Sequence, residues 1–435
     1  MTEDAPVTLP VTPARASHVP SFLSRRAVQL FGALVMGALL PYLLRPLIWP
    51  GTGHEVASYN ALAGNAAAVV LALWVRRSVE IYPVVRASAL NVPVASICHM
   101  GIMVAILLLR LDYDRIALLL GYGFHLLWLY VLYFLVQHRA RPSIGIVPGG
   151  RVARLRAIES VDWWAISEPR LSEIASYNAI VADFGADLPA DWERFLADAA
   201  LDGRFVYQVK QLSESLTGQV EIDHISENSF GSLIPARGYF HFKELADLLF
   251  ALLVLPIVAP LIGLAALAIL AEGGPVFFRQ RRVGYLGRPI EVLKFRTMVP
   301  SDRKAPVDER EAAITVDGDE RITRVGRFLR RTRIDELPQI WNVLKGEMSW
   351  IGPRPEAEVL SIWYTIEIPF YRYRHVVKPG ISGWAAVNQG HVAAVDDVLR
   401  KLQFDFYYIK YFSPWLDLLI VFRTIKTMLT GFGSR

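Results

Sequence analysis

Four apolar runs dominate the first third of the chain: Ala27 to Trp49, Tyr59 to Val75, Leu90 to Leu109, and Ile116 to Val136. Each is close to the roughly 17–25 residues that a helix needs to cross a bilayer. The second is the shortest and is rich in alanine. From Pro142 to about Ser232 the pattern turns soluble. Ser143 to Pro148, Asn178 to Phe184 and Arg204 to Lys210 read as strands, and Asp191 to Leu201 reads as a helix. That alternation predicts a small α/β module with a parallel sheet, Rossmann- or flavodoxin-like in kind. A fifth apolar run, Leu245 to Ala271, is followed by a punctuated, basic stretch. Near the end, Tyr407 to Gly431 is aromatic and apolar with Lys410, Arg423 and Lys426 interspersed. This predicts interfacial amphipathic helices on a membrane surface, with an amphipathic core helix as the alternative.

The pattern divides the chain into a tail at 1–26, four transmembrane helices at 27–138, an α/β module at 142–236 and a mainly α domain at 239–435. The first 20 residues are rich in proline and alanine and lack a compact apolar core with a cleavage site, so they read as a disordered tail. Flanking charge sets the orientation. Arg15, Arg25, Arg26, Arg76, Arg77, Arg86, Arg139 and Arg141 fall on one side of the four runs, against Arg45, Arg110 and Arg115 on the other. The richer side is expected in the cytoplasm, together with everything after Arg139.

The fifth run is long enough to reach about 40 Å as a helix. It holds Pro256 and Pro260, which kink or break helices. It is also basic at both ends, with Arg237 and Lys243 before it and Arg279, Arg281, Arg282 and Arg288 after it. A spanning segment with Lys/Arg on both flanks fits poorly with the charge rule. A re-entrant hairpin returning to the cytoplasmic face fits both features, and a fifth spanning helix is the alternative.

Composition sharpens this picture. The 435-residue chain is 53% hydrophobic, with a mean hydropathy of +0.32, as membrane segments require. Its net charge of +5 suits an anionic partner, whether nucleic acid, acidic lipid or a phosphorylated substrate. The single cysteine, Cys98, lies in an apolar run, which excludes a disulfide framework and a thiolate-rich metal site. In the α/β module, the Gly149-Gly150 turn after the first strand offers a weak phosphate-binding signal without a full dinucleotide pattern. A structural or regulatory module is the other reading.

The densest charge constellation runs from Arg321 to Pro338, where six arginines precede the adjacent pair Asp335-Glu336. Pro338 suits the first position of a helix continued by Gln339 to Leu344, placing both carboxylates at its N-terminus. The helix dipole and the arginines then favour the ionised forms. Adjacent side chains point in different directions, so one carboxylate can attack while the other holds a hard metal ion. Mg²⁺ takes one or two carboxylates with phosphate oxygens, and arginine forks match phosphate. These are the parts of a phosphoryl-type transfer, although a basic helix face with capping acids explains the same residues.

The run from Asp335 through Leu337-Pro338-Gln339 to Gly352-Pro353-Arg354-Pro355 resembles the signature of the bacterial sugar transferases, the polyprenyl-phosphate hexose-1-phosphate transferases or monotopic phosphoglycosyl transferases. Upstream, Gly274 to Gln280 and Lys294 to Met298 match the family. Downstream, Lys378 to Trp384 and Val387-Asn388 do so as well. The resemblance covers about Tyr239 to Gly431, and the four preceding helices with the α/β module resemble large family members.

The resemblance implies transfer of a sugar-1-phosphate from a UDP-sugar to undecaprenyl phosphate, with release of UMP and a covalent phosphosugar intermediate. It implies Asp335 as nucleophile and Glu336 as Mg²⁺ ligand. Arg330 and Arg354 are expected to hold phosphate, Lys294 and Arg296 to line the site, and Asp405 to match a late family aspartate of the substrate site. Glucose and galactose are the leading expected sugars, with N-acetylated and deoxy sugars open, within exopolysaccharide, capsule or O-antigen synthesis. The location implied is the bacterial inner membrane, catalytic domain inward, with the bilayer as partner; oligomeric state stays open, the four-helix region being a candidate homodimer contact. The family's re-entrant helix breaks at a Ser-Pro pair, where this chain has Ala259-Pro260. A basic pair usual before Asp247 is here Lys243-Glu244, and Arg333 replaces a small polar residue. A transporter accounts for the helices but not for Asp335-Glu336. A catalytically dead scaffold is opposed by the intact pair with Arg330 and Arg354. Nucleic-acid binding lacks the interleaved aromatics.

Overall fold

The computed structural model describes residues 25–48, 55–80, 87–137, 142–221, 235, 237–299, 321–389 and 395–430. The N-terminal tail and Arg15, Arg86, Arg139 and Arg141 of the charge argument lie outside them. The chain forms two compact units, Met1–Gly218 and Gln219–Arg435.

In the first unit the apolar runs become α1 (Ala27–Ile48, with a π-turn at Val35–Leu39), α2 (Glu55–Glu80), α3 (Ala87–Leu108) and α4 (Arg115–Leu132). All four are long and apolar enough to cross a membrane. The weakest sequence run yields the 26-residue α2, because polar residues extend the helix at both ends. Backbone polar groups in lipid must be satisfied inside the protein. Asp114 meets this need at the start of α4 by accepting hydrogen bonds from Ile116 N and Ala117 N, at 3.0 and 3.1 Å. Its other oxygen pairs with Arg45 at 2.5 Å, tying the end of α1 to the start of α4. Asn65 donates across the bundle to Ala117 O at 2.9 Å.

The α/β module follows with β1 (Ser143–Ile146), β2 (Asp162–Ala165), β3 (Ala179–Ala182), α5 (Ala190–Leu201), β4 (Phe205–Gln208) and α6 (Val209–Thr217). The four strands are parallel in the order β2-β1-β3-β4. Sequence reading missed β2, whose Asp-Trp-Trp-Ala stretch alternates too briefly to stand out. One sheet face packs Val181 against Leu155 and Leu212, and the other packs Ile180 against Phe195. The Gly149-Gly150 turn lies after β1, but the Arg151 amide there donates to Asp183 Oδ2 at 2.9 Å. The protein's own carboxylate therefore takes the donor that a bound phosphate needs.

The second unit contains α7 (Arg237–Ala271), the hairpin β5 (Phe277–Val283) and β6 (Pro289–Phe295), and α8 (Arg324–Thr332). Next come a 3₁₀ turn at Ile334–Gln339, α9 (Ile340–Leu344), β7 (Ser349–Ile351) and α10 (Glu358–Glu367). A second 3₁₀ turn at Tyr371–Val376 leads to β8 (Gly380–Ser382), α11 (Trp384–Asn388), α12 (Val395–Lys410) and α13 (Pro414–Thr430). The unit is mainly helical. The 35-residue α7 stays helical through Pro256 and Pro260, so the break expected at these prolines does not interrupt the helix. Ala251 in its first half packs with Val292, Ile340 and Val343, and Ala265 and Ile269 in its second half pack with Phe295 and Leu329. Leu252, Leu253, Ile257, Leu264 and Leu267 remain exposed on its other side.

The aromatic C-terminal segment differs from an interfacial helix. Phe404, Phe406, Tyr407 and Tyr408 of α12 are buried, as are Leu416, Leu419 and Ile420 of α13. Tyr408 donates to Asp417 Oδ1 at 2.8 Å. Most of these apolar positions fill this unit's own core, while Val421, Ile425 and Met428 towards the end of α13 stay exposed.

Candidate active site

Three local devices bring the charged residues together. The first is the parallel pair β7·β8, with Ser349 opposite Gly380 and Ile351 opposite Ser382. A Cβ on Gly352 would sit 2.3 Å from the Lys378 carbonyl oxygen, and one on Gly380 would sit 2.1 Å from the Gly352 nitrogen. Only glycine permits this approach, which joins two motif blocks distant in sequence and delivers Arg354. The second is β6, which carries Lys294. The third is the end of α8, where Arg333 adopts a left-handed conformation (φ 60°) and turns the chain into the 3₁₀ segment bearing Asp335 and Glu336. α-Helical geometry begins only at Ile340, so Pro338 sits inside the 3₁₀ turn rather than opening α9.

Glu336 is the hub. Arg354 grips it with both terminal nitrogens, Nη2 on Oε1 and Nη1 on Oε2, the latter at 3.2 Å. Lys294 Nζ lies 3.5 Å from Oε1, and Arg333 Nη1 lies 3.9 Å from the same atom. Burial alone would favour the neutral acid, but Arg354 and Lys294 override it and hold the Glu336 carboxyl far below the usual range. Asp335 behaves in the opposite way. Burial, with the neighbouring Glu336 charge second, pushes its carboxyl up to about 6 against the pull of Lys294, Arg354 and Arg330. Burial also lowers the Lys294 amine to about 8. The expectation that dipole and arginines ionise both carboxylates alike therefore fails for Asp335, because desolvation outweighs them.

Asp335 Oδ1 is buried and has no hydrogen-bond partner among the described residues. Such an atom is costly unless something else engages it. Its place beside Glu336 gives two adjacent carboxylates, a donor set that fits Mg²⁺ when phosphate oxygens and water fill the other positions. Among the described residues there is no group of three or more His, Cys, Asp or Glu side chains, so the protein supplies only part of such a shell.

The expected site residues divide in two. Lys294, Arg354 and Arg330 gather around the pair; Arg330 also donates through Nε to Thr297 Oγ1 at 2.8 Å. Arg296 and Asp405 do not. Arg296 turns to the Gly273 carbonyl oxygen at the end of α7. Asp405 is 1% exposed and pairs with Arg374 at 2.8 Å, which leaves it no access to substrate. Sequence reading missed Arg374, Glu356 and Lys401, which bury charge behind Arg354. Arg374 and Lys401 carry at most the weak signal of charge among aromatic and apolar neighbours, and Glu356, between Arg354 and Glu358, carries none.

A sequence model described as "Bacterial sugar transferase" matches residues 238–431. The chain is 42% identical over 406 residues to the UDP-N-acetylgalactosamine-undecaprenyl-phosphate N-acetylgalactosaminephosphotransferase of Aeromonas hydrophila, covering 92% of this chain and 95% of that protein. It is 42% identical over 186 residues to the UDP-glucose:undecaprenyl-phosphate glucose-1-phosphate transferase of Escherichia coli K12, covering 42% of this chain and 39% of that one. A Caulobacter vibrioides protein of the same activity is 43% identical over 191 residues, or 43% of this chain and 70% of that protein. Taken with the site's geometry, these similarities show that the chain belongs to the bacterial sugar transferase family.

Proposed function

We propose that this protein transfers a sugar-1-phosphate from a UDP-sugar to undecaprenyl phosphate, with Asp335 as nucleophile. The observation that carries the reading is the division of labour within the pair: Glu336 is clamped by Arg354 and Lys294, whereas Asp335 keeps a buried oxygen with no hydrogen-bond partner among the described residues. An Asp335 oxygen bonds to the β-phosphorus, and the bond from that phosphorus to the bridging oxygen breaks. UMP departs with the electron pair, and the phosphosugar stays on Asp335. An undecaprenyl phosphate oxygen then attacks the same phosphorus and restores the carboxylate. Lys294, Arg330 and Arg354 hold the phosphate oxygens and stabilise charge as it develops. Glu336 is the group that would hold Mg²⁺, through the side of Oε2 that Arg354 leaves open; the ion would supply Lewis-acid charge neutralisation.

N-acetylgalactosamine takes precedence over glucose and galactose as the sugar. The Aeromonas relative named for it aligns through 92% of this chain, whereas the two relatives named for glucose align over less than half of it. The test is UMP release by the detergent-purified chain, given Mg²⁺, undecaprenyl phosphate and each UDP-sugar of a panel. The expected result is turnover fastest with UDP-N-acetylgalactosamine. Turnover that persists undiminished in Asp335→Asn would remove Asp335 as nucleophile.

The reading includes α7 as a re-entrant element at the cytoplasmic face of the inner membrane. Its two halves both pack on β6 with α8 and α9, which supports a segment that keeps to one face of the bilayer. Its exposed leucines face away from that body, and its flanks are basic. The α/β module has a flavodoxin-like strand order, and with its glycine turn closed by Asp183 it fits a structural role better than nucleotide binding.

A further inference from the structure

The loop that carries Arg354 is held from behind by its backbone. Four successive carbonyl oxygens accept hydrogen bonds from three elements, β5, β8 and the 3₁₀ turn at Tyr371–Val376. Pro353 O accepts from Gly380 N at 3.0 Å, and Arg354 O accepts from Arg374 Nη2 at 2.8 Å. Pro355 O accepts from Arg282 Nη1, and Glu356 O accepts from Val283 N at 3.1 Å. Arg374 is the centre of this arrangement and is 3% exposed. Its Nη1 donates to Tyr371 OH at 2.8 Å and lies 3.8 Å from Glu356 Oε1, and its Nη2 pairs with Asp405 at 2.8 Å. Lys401 closes the network on Glu356.

A buried arginine needs counter-charge, and Asp405 and Glu356 supply it. A guanidinium fixed on several sides is a rigid donor. Its bond to the Arg354 carbonyl thus transmits the position of α12 to the fork that grips Glu336. We propose that Arg374, held by Asp405 and Glu356, is a positioning residue that sets Arg354 for phosphate, and that Asp405 acts only through it. This rests on the transferase reading above and assigns Asp405 a role away from substrate.

The test compares Asp405→Asn alone and on an Arg354→Lys background, in the full chain in detergent, with folding checked by thermal shift. A misplacement of about 1 Å can cost on the order of 100-fold in rate. The expected result is a fall in kcat of about 10- to 100-fold in the single variant, with faster amide exchange at Gly380 and Val283. On the Arg354→Lys background, where the fork is already lost, the further fall should be less than about threefold. Equal falls on both backgrounds, or normal turnover in Asp405→Asn, would overturn the proposal. If Asp405→Asn does not fold, Tyr371→Phe keeps every charge and carries the same comparison, with a several-fold fall expected only when Arg354 is present. A wild-type chain inactive on every donor sinks the transferase reading instead. The clamp is then judged on exchange alone, and unchanged protection at Gly380 and Val283 in Asp405→Asn refutes it.

Discussion

Replacing Asp335 with asparagine should abolish activity and stabilise the protein at the same time. The carboxyl rises from an ordinary 3.8 to about 6 in the folded state. That difference corresponds to about 3 kcal/mol disfavouring the ionised form when folded. The sign follows from proton linkage: between pH 3.8 and about 6 the folded state binds more protons than the unfolded state, so stability falls as pH rises through that window. Above about pH 6 the whole cost is present. Asparagine keeps the shape without the charge, but its amide brings an NH₂ group next to cations, which returns about 1–2 kcal/mol of the gain. The net expectation at pH 7.5 is a gain of about 1–2 kcal/mol, or roughly 2–8 °C in midpoint for a unit of this size. At pH 5 the carboxyl is mostly protonated when folded, so its ionisation cost falls to about 1.5 kcal/mol and the net advantage should shrink to near zero. Thermal unfolding of wild type and variant at both pH values reads the stability. UMP release, expected to fall at least about 10³-fold, reads the function. A variant less stable than wild type at pH 7.5 would refute the burial argument, whatever its activity.

Glu336→Gln should behave in the opposite way, losing about 3–5 kcal/mol because Arg354 and Lys294 are left buried without their anion; a denaturation midpoint equal to wild type would contradict the hub assignment. The pH profile of kcat/KM should rise through an apparent value near 6 as the Asp335 carboxyl ionises, and fall near 8 as the Lys294 amine loses its proton. A profile flat from pH 5 to 9 would rule out both groups. In a Cys98→Ser background, a cysteine at Phe278 should react with an impermeant thiol reagent only from the cytoplasmic side, and labelling only from the periplasm would remove the re-entrant reading of α7.

Much of the architecture was legible because it depends on local composition. Apolar runs of membrane length have few alternatives to helices, and four of them between Ala27 and Val136 announced the bundle. The motif blocks named candidate site residues only through their resemblance to a family, and of those Lys294, Arg330 and Arg354 gather around the pair while Arg296 and Asp405 do not. Other features needed partners that no window contains. Amphipathicity in 407–431 was visible, but whether protein or lipid covers the apolar face depends on what packs there, and the structure puts Leu416, Leu419 and Ile420 in the core. Arg296 and Arg354 look equivalent as basic motif residues, yet one turns to the end of α7 and the other to Glu336.

The adjacent pair draws the division most clearly. Sequence by itself determined that two carboxylates stand side by side among arginines, on a chain rich in membrane helices. Only the tertiary structure decided that Glu336 is ionised and clamped while Asp335 is raised and left with a free oxygen. Ionisation depends on desolvation and on charges within a few ångströms, and those come from β6 and from the loop after β7, far away along the chain.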